Sequence, residues 1–453
     1  MVNSYFCKIF LVAEICLNLL ILWTKNTPNL QQNPPRIQSS YKRCVFIHNS
    51  SFFERMFSAM NQKQNLPKRV AIITHFHGST NYGGVLQAYA LRKVIADMGY
   101  EAEQLRYLTS SENTPPLPVL VKNFFTKYLQ NAIIEKQLAA FIIHAGKFGI
   151  TFVPRKIFNK LVVSKHRASR AESFARFNER YVPSSKVYTR STIAESFDDY
   201  DIFITGSDQV WNPNWFYAPY YLDFVPENKP KIAYAASTAV SHLTQEQYDK
   251  MQPLVSCFQH ISVREENAVS MLQGMTDKKI EWVVDPTLLL SAEEWNEVAA
   301  ENPVKEPYVF TYILGNQKDN QKCAKDFAKK KGLKLVTFPF TASGSIRQAF
   351  FGDIHSYDGP DVWLSLIRDA EYVITDSFHA VVFSIVYRKQ FVVLRRSGDG
   401  ERGSMNSRLY SLCKMFPEIE RRIVGVEDIS VIEEPLSQNI SEVLLEKKKY
   451  SCE

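Results

Sequence analysis

Three short stretches of the sequence place an ionisable side chain where a predicted strand gives way to a polar turn. They are "TGSDQVWNP" with Asp208 and Gln209, "ISVREENAVSML" with Arg264, and "TDSFHAVVFS" with His379. A carboxylate beside an amide suits a hydroxyl-rich ligand, a guanidinium binds carboxylate or phosphate groups, and an imidazole moves protons near neutral pH. These residue types together indicate acid–base chemistry on an anionic ligand.

Each of these residues also has a structural interpretation that the sequence leaves open. Asp208 fits an Asx-type turn, Arg264 fits a surface ion pair with the glutamates that follow it, and a lone histidine is usually structural. His379 lies in the first turn of a predicted helix that Asp376 or Ser377 can cap. Because helix starts attract anions, this position favours a functional role.

The stretch "GSTNYGGV" follows the apolar run "RVAII" and opens another predicted helix. Gly78 and Gly83 keep the glycine spacing of the phosphate-binding P-loop, but Gly84 and Val85 stand where that loop has Lys and Ser or Thr. Nucleoside triphosphates would therefore lack their point charge and metal ligand here. Glycines at a helix start still let an anion approach closely, so we predict a binding role that includes Asn81. A plain strand–helix turn is the alternative.

Metal and disulfide chemistry have little support in the sequence. His75 and His77 are two residues apart, but no carboxylate or Cys partner is near them in sequence, so we predict no metal site. The seven Cys are scattered, and no two have metal or redox-motif spacing. This distribution is typical of reduced thiols in a cytosolic protein.

The candidate residues require elements that bring strand ends together. From Arg69 the sequence alternates strand, loop and helix, which is typical of βαβ units in a parallel sheet. A second series starts near Pro307, and "SAEEW" from Ser291 is typical of a helix capping box. We therefore predict an α/β protein with two Rossmann-like doubly wound domains facing a cleft. Ligands of such sheets bind beyond the carboxyl ends of the strands.

The domain division follows from the same pattern, and 453 residues accommodate it. The expected parts are an N-terminal extension at 1–68, a first α/β domain at 69–302 with a basic helical insertion at 111–195, and a second α/β domain at 303–453 with a terminal helix.

The N-terminal extension contains an apolar run at 10–23 that Glu14 interrupts. The run is short for a transmembrane helix. Three interpretations remain open: a misassigned start, with translation beginning at Met56 or Met60, a weak membrane anchor, and a signal peptide.

The net charge of +7 is concentrated in one segment. Residues 121–180 contain twelve Lys and Arg against three Asp and Glu, which leaves the rest of the chain at about −2. The basicity therefore does not indicate a nucleic-acid-binding protein.

Five stretches, taken in order, resemble the polysaccharide pyruvyl transferase family. They are "NYGGVLQAYAL", "FITGSDQVWNP", "ISVREENAVSML", "VVDPTLLLS" and "YVITDSFHAVVFSIVYRKQFVVL". The resemblance covers most of the chain from Arg69 to about Glu427, and it rests on the order and spacing of the motifs together.

The resemblance implies a fold similar to B-type glycosyltransferases and transfer of pyruvate from phosphoenolpyruvate to sugar hydroxyls as a cyclic ketal. The products in the family are capsular, exopolysaccharide or cell-envelope glycans. Arg264 matches a basic residue that holds phosphoenolpyruvate, and His379 matches a histidine for donor binding or acid catalysis. Phosphoenolpyruvate is a co-substrate, and no further cofactor is expected.

The site predicted from these arguments has three parts. The residues are His379 and Asp208 for catalysis, Arg264, Ser377 and Arg402 for the donor, and Asn81, Gly83, Gly84 and Gln209 for the acceptor or an anion. The chain departs from the family at Ser377, where many members have Arg. The missing charge must then come from elsewhere, with Arg395, Arg396 and Arg402 in a glycine-rich loop as candidates.

Two other functions remain open from the sequence: a glycosyltransferase of the same fold that uses a nucleotide-sugar, and a non-catalytic glycan-binding protein. The leading interpretation predicts a glycan or polyprenyl-linked oligosaccharide acceptor and no nucleic acid. It also predicts a cytoplasmic protein, with a contact of segment 121–180 at the inner face of the plasma membrane. A solvated helical insertion is the alternative for that segment.

Overall fold

The computed structural model describes residues 69–109, 164–315, 318–338, 352–355, 358–395 and 407–452. The predictions for 1–68, for 110–163 of the basic insertion, and for Arg396 and Arg402 lie outside these residues. The strands in the described ranges form two sheets, and both lie in the compact unit Ser51–Glu453.

The first sheet is parallel throughout, with the order β3-β2-β1-β4-β5-β6-β7. Its order reverses between β1 and β4, which is the switch point where doubly wound sheets bind ligands. The strands are Arg69–Ile73 (β1), Glu101–Tyr107 (β2), Ser184–Tyr188 (β3), Ile202–Thr205 (β4), Lys231–Ala236 (β5), His260–Val263 (β6) and Ile280–Trp282 (β7).

The second sheet repeats this arrangement, with the order β10-β9-β8-β11-β12-β13 and parallel pairing. The prediction of two doubly wound α/β sheets is therefore confirmed. The strands are Tyr308–Tyr312 (β8), Lys334–Thr337 (β9), Ile354–His355 (β10), Tyr372–Thr375 (β11), Gln390–Leu394 (β12) and Ile423–Val424 (β13).

The described α-helices are Tyr82–Asp97 (α1), Ser164–Tyr181 (α2), Gln245–Val255 (α3), Glu266–Gln273 (α4), Ala292–Asn296 (α5), Lys318–Lys331 (α6), Pro360–Arg368 (α7), Phe378–Val386 (α8), Ser407–Met415 (α9) and Asn439–Cys452 (α10). Short 3₁₀ helices occupy Ile193–Asp199, Pro213–Trp215, Ala218–Tyr221, Pro286–Leu288, Pro417–Arg422 and Val426–Glu433. The predicted capping box at the start of α5 is confirmed, with Ser291 and Glu294 bonded reciprocally. Within the described ranges, no helix combines the length and apolar character that crossing a membrane requires.

The expected helical insertion at 111–195 needs a correction near its end. Residues 184–188 form β3, which pairs in parallel with β2 at the edge of the first sheet. The sequence "SSKVY" is short and only its second and last residues are buried, so it lacks the apolar run that marked the other strands.

Helices from both halves of the chain share one hydrophobic core. Tyr82 in α1 stacks on Trp363 in α7 with 5.3 Å between ring centroids and an interplanar angle of 8°. The Tyr82 hydroxyl donates to the Asp358 carbonyl at 2.9 Å. Phe383 in α8 packs edge to face on Trp295 at 4.9 Å. Because all four rings belong to one buried cluster, apolar packing fixes α1 against α8.

The C-terminal helix α10 returns to the first half of the chain. The Val284 amide donates to Ser451 Oγ at 3.0 Å, and Lys448 Nζ donates to the Leu290 carbonyl at 2.9 Å. Helix α10 therefore packs against residues 284–290, which follow β7.

Candidate functional site

Charged residues follow three strands of the first sheet and converge at its carboxyl edge. Asp208 follows β4, Arg264 follows β6 and Asp285 follows β7. Arg264 Nη2 lies 3.6 Å from Asp208 Oδ1, and Arg264 Nη1 lies 2.9 Å from Asp285 Oδ2. The structure thus brings together Asp208 and Arg264, which the sequence analysis selected, and adds Asp285.

Arg264 is buried among carboxylates and is 3% exposed. Its Nε donates to Glu265 Oε1 at 3.2 Å, and its guanidinium lies over the Phe378 ring at 4.7 Å from the centroid. Burial opposes the charge, but Glu265, Asp285 and Asp208 outweigh it and raise the pKa of Arg264 above its usual value. The ion pair with Glu265 expected at the surface is therefore an interior one.

Asp285 is the most heavily bonded carboxylate of this group and is 1% exposed. Its Oδ1 accepts from the Thr287 amide at 3.0 Å and from the Thr287 hydroxyl at 2.6 Å. Its Oδ2 accepts from Ser207 Oγ at 3.2 Å as well as from Arg264. Burial opposes ionisation, but His379, Arg264 and Thr287 hold the pKa of Asp285 well below its usual range.

His379 reaches this cluster from the second sheet. It lies in the first turn of α8, is 7% exposed, and places Nε2 3.7 Å from Asp285 Oδ2. A Cβ added to Gly83 at the start of α1 would lie only 1.9 Å from His379 Nδ1. Glycine at position 83 therefore lets the imidazole pack directly against the backbone of α1.

Three buried polar atoms around Arg264 and His379 have no hydrogen-bond partner in the described part of the chain. They are Nη2 of Arg264, Nε2 of His379 and Oε2 of Glu265. Buried N–H groups without a partner are uncommon, because desolvation without a compensating bond costs free energy. Arg264 Nη2 is therefore a candidate to donate to an anionic ligand, whereas His379 Nε2 faces Asp285 Oδ2 at 3.7 Å, beyond hydrogen-bond distance.

Asp208 is buried in the turn after β4 and has a positive φ of 61°. Burial raises the free energy of its charged form, but Arg264, His379, His75 and Arg408 together lower the pKa of Asp208 below its usual value. Asp208 is therefore ionised at neutral pH and is a weak base.

Helix α1 starts with a side-chain cap. Asn81 Oδ1 accepts from the Gly84 amide at 3.4 Å, so Asn81 is bonded within the helix start. A Cβ on Gly84 would lie 3.0 Å from the His75 carbonyl oxygen and 3.4 Å from Asp208 Oδ2. Of the three residues predicted here for an anion or acceptor, Asn81 caps the helix, Gly83 packs against His379, and Gly84 lies near Asp208.

Helix α8 starts without a side-chain cap. Ser377 occupies the N-cap position and makes no capping hydrogen bond with its side chain. Asp376, the other expected cap, accepts from the Leu314 and Gly315 amides at 2.7 Å each. Asp376 therefore orders the turn after β8, and the start of α8 has no acidic side chain as its cap.

Gln209 and His75 lie beside Asp208 and are bonded to their own surroundings. Gln209 Oε1 accepts from Asn212 Nδ2 at 2.9 Å, and the Gln209 carbonyl lies 3.3 Å from His75 Nε2. Burial lowers the pKa of His75, with Asp208 opposing the shift. No group of three or more His, Cys, Asp or Glu among the described residues could hold a metal ion.

Of the three arginines predicted to replace the missing family arginine, only Arg395 is among the described residues. Arg402 and Arg396 lie outside the described residues, and Arg395 is exposed and donates to the Ile423 carbonyl at 3.4 Å. Arg408, which the sequence analysis did not select, is buried in α9 and lowers the pKa of Asp208. No local signal marks Arg408, whereas Asp285 shares the strand-end position of the residues that were selected.

The fold and this cluster define an α/β protein with two doubly wound sheets and a buried charged site to which both sheets contribute. The model of the polysaccharide pyruvyl transferase family matches residues 81–398, which is most of the chain. The chain belongs to this family, whose description is that of a transferase acting on polysaccharides.

Similar solved structures cover most of the chain at low identity. UDP-GlcNAc 2-epimerase from Neisseria meningitidis bound to UDP-GlcNAc is 12% identical, with coverage of 84% of this chain and 100% of that chain and a TM-score of 0.37. A putative UDP-N-acetylglucosamine 2-epimerase from Listeria monocytogenes is 10% identical, with coverage of 84% and 90% and a TM-score of 0.43.

A third similar structure is the E. coli heptosyltransferase WaaC with ADP, which is 10% identical with coverage of 74% and 89% and a TM-score of 0.34. No curated protein matches the sequence.

Proposed function

We propose that the protein transfers pyruvate from phosphoenolpyruvate to two hydroxyl groups of a sugar, forming a cyclic ketal on a surface polysaccharide or its lipid-linked precursor. The observation that carries this proposal is the cluster of Arg264, Asp208 and His379, in which the buried Nη2 of Arg264 has no hydrogen-bond partner among the described residues. Each of the three residues lies in a stretch that the family model covers.

The donor has a phosphate and a carboxylate, and the site supplies matching groups. Arg264 is a permanent cation, and the start of α8 favours negative charge. Arg408 adds a second buried cation near Asp208. Such a ligand calls for arginines and helix starts more than for a magnesium ion.

The reaction starts with proton transfer from His379 to the methylene carbon of phosphoenolpyruvate. The neighbouring carbon becomes an oxocarbenium-like centre, and a sugar hydroxyl attacks it. Asp208 orients this hydroxyl and accepts its proton as the C–O bond forms. Because the lowered pKa of Asp208 makes it a weak base, orientation is its main contribution.

The ketal then forms when the bond to phosphate breaks and a second sugar hydroxyl attacks the same carbon. The proton held by Asp208 leaves with the phosphate, and the proton of the second hydroxyl returns to His379. The products are the pyruvylated sugar and inorganic phosphate, and no covalent enzyme intermediate is needed.

The first test is a thermal-shift screen with phosphoenolpyruvate, inorganic phosphate and a panel of nucleotide-sugars. Selective stabilisation by phosphoenolpyruvate is the expected result. Ser377 in place of the family arginine is the observation that favours a nucleotide-sugar instead, and stabilisation by one of those compounds would overturn the proposal. Stabilisation by neither class would indicate a glycan-binding protein.

The second test is pyruvyl transfer by His379→Ala, with a matching glycan acceptor. We expect a loss of about 10²-fold or more, which is typical for removal of a general acid. His260→Ala is the matched control, because His260 is half-buried at the amino end of β6, opposite the site. Full transfer by His379→Ala would exclude this residue as the acid.

We place the reaction at the cytoplasmic face of the plasma membrane, on a glycan or polyprenyl-linked oligosaccharide. The support is the charge of segment 121–180, because cationic segments with Phe and Ile bind anionic lipid surfaces. Binding to anionic liposomes that falls with salt, and that disappears on deletion of 121–163, is the expected result.

A further inference from the structure

One carboxylate oxygen joins the two halves of the site. Asp285 Oδ2 lies 2.9 Å from Arg264 Nη1, which follows β6 of the first sheet, and 3.7 Å from His379 Nε2, which comes from α8 of the second half. Asp285 has no role in the proposed reaction, although it is buried and ionised between Arg264 and His379, which both have a role.

The imidazole of His379 is fixed on two sides. Its Nε2 faces Asp285, and its ring lies against Gly83. A Cβ on Gly83 would lie 1.9 Å from Nδ1, 2.2 Å from Cγ and 2.4 Å from Cε1. Because Nδ1 is the nearest atom and its two bonded neighbours are almost as near, Gly83 lies over the face of the ring at Nδ1.

We propose that Asp285 is a positioning residue for His379: it holds the imidazole with the proton on Nε2, so that Nδ1 is the nitrogen presented to the ligand. A carboxylate beside one ring nitrogen selects the tautomer that donates to it. The ring carries a second proton on Nδ1 when His379 acts as an acid, and that is the proton transferred.

Asp285 is built to hold a fixed position. Both Thr287 groups bind Oδ1, and Ser207 binds Oδ2, so the carboxylate cannot rotate without breaking several hydrogen bonds. These neighbours come from the turns after β4 and β7. The ring of His379 therefore meets an acceptor whose position the first sheet determines.

A simpler role for Asp285 is to neutralise Arg264 alone. Glu265 supplies the control, because it also bonds Arg264, at 3.2 Å, and has no ion-pair contact with His379 among the described residues. Arg264 has three carboxylate partners. Loss of Asp285 or of Glu265 leaves two of them, so the charge of Arg264 remains compensated in both variants. Effects through Arg264 would be similar in both variants, whereas effects through His379 would appear in Asp285→Asn only.

The first experiment measures the protonation of the His379 ring directly and does not depend on enzyme activity. Two-bond ¹H–¹⁵N correlation spectra of the full chain, labelled at histidine, report which ring nitrogen is protonated, and His379→Gln assigns the signal. We expect the Nε2–H form in the wild type and in Glu265→Gln, and a mixture of both forms in Asp285→Asn. An Nδ1–H form in the wild type, or no change in Asp285→Asn, would overturn the proposal.

The second experiment rests on the proposed pyruvyl transfer. We expect Asp285→Asn to lower kcat by about 10²-fold or more, with no further loss when His379→Gln is added. Glu265→Gln should lower kcat by less than about tenfold and remain additive with His379→Gln. Equal losses in the two carboxylate variants, or additive losses for Asp285 and His379, would reject the positioning role.

A failure of the transfer reaction itself is distinguishable from a failure of this proposal, since the spectra do not depend on it. If Asp285→Asn does not fold, Thr287→Val serves instead, because it removes only the 2.6 Å bond to Oδ1. The same change in tautomer is then expected to a smaller extent, and an unchanged spectrum in a folded Thr287→Val protein would contradict the proposal.

Discussion

Helices α1 and α8 meet at their starts, and the two starts are built in opposite ways. At α1 the side chain of Asn81 caps the helix. At α8 the side chain of Ser377 makes no capping bond, and the acidic residue before it is bonded to the turn after β8. The glycine-rich start of α1 therefore has a side chain that bonds one of its backbone N–H groups. The start of α8 has no such cap for its backbone N–H groups.

The difference in capping goes with two different roles: the start of α1 permits close packing, and the start of α8 is open to an anion. In α1 the glycines permit close packing, since a side chain on Gly83 would overlap the ring of His379. In α8 the uncapped start and His379 lie next to Arg264 and Asp285. A motif that resembles a phosphate loop thus makes room for His379, the proposed acid, and we expect the anion to bind at α8.

Among changes at the two helix starts, Gly83→Ala has the largest expected effect. The new methyl group overlaps the buried imidazole, so we expect kcat to fall about 10²-fold. Overpacking should also lower the free energy of unfolding by about 1–3 kcal/mol. Gly84→Ala is the milder comparison, because its Cβ would lie 3.0 Å from the His75 carbonyl oxygen and 3.4 Å from Asp208 Oδ2 and would overlap no ring. Steady-state rates and denaturant unfolding give both values, and equal effects of the two changes would contradict the packing role.

Ser377→Asp tests which helix start binds the anion. A carboxylate at the start of α8 competes with the phosphate group, so we expect the affinity for phosphoenolpyruvate to fall about tenfold. Asn81→Asp places the same charge at the start of α1 and should change the affinity much less. Isothermal titration calorimetry measures both. A larger loss of affinity for Asn81→Asp would indicate that the anion binds at the glycine turn of α1.

The two caps should also differ in their contribution to stability. Asn81→Ala removes a capping bond and should lower the free energy of unfolding by about 1 kcal/mol, whereas Ser377→Ala should change it by a few tenths. Denaturant titrations of the two variants decide the point. Similar losses would mean that Ser377 caps α8 in solution.

The smallest effect expected is a pH dependence at Asp208, which lies near both helix starts. Its pKa is lower in the folded protein than the usual 3.8, so ionised Asp208 stabilises the fold above that value, and this contribution is lost as the pH falls through the folded pKa. The stability difference between wild type and Asp208→Asn should therefore be largest above about pH 5 and shrink toward pH 3. A difference that grows on acidification would contradict the lowered pKa.

Much of the arrangement could be predicted from the sequence because it follows from local rules. Alternating strands and helices indicated parallel sheets, and parallel strands end at one edge, which brought Asp208 and Arg264 together. The capping box at Ser291 is also local, since its two residues are three apart. These features depend on near neighbours or on a topological rule.

Other features depend on contacts between distant segments, and no local pattern shows them. Gly83 and His379 are far apart in sequence, so their packing could not be deduced from either motif. Arg408 lies in a helix without a recognisable motif. Asp285 lies in the stretch "VVDPTLLLS", but the sequence does not show which carboxylate will face the imidazole.

The return of α10 to the first half has a consequence during protein synthesis. Ser451 and Lys448 leave the ribosome well after Val284 and Leu290, which they bond beside the turn that holds Asp285. The first half therefore cannot complete its packing before α10 is synthesised, although its strands emerge early. The surroundings of the site become complete only once α10 has emerged, which makes α10 a poor place for a truncation.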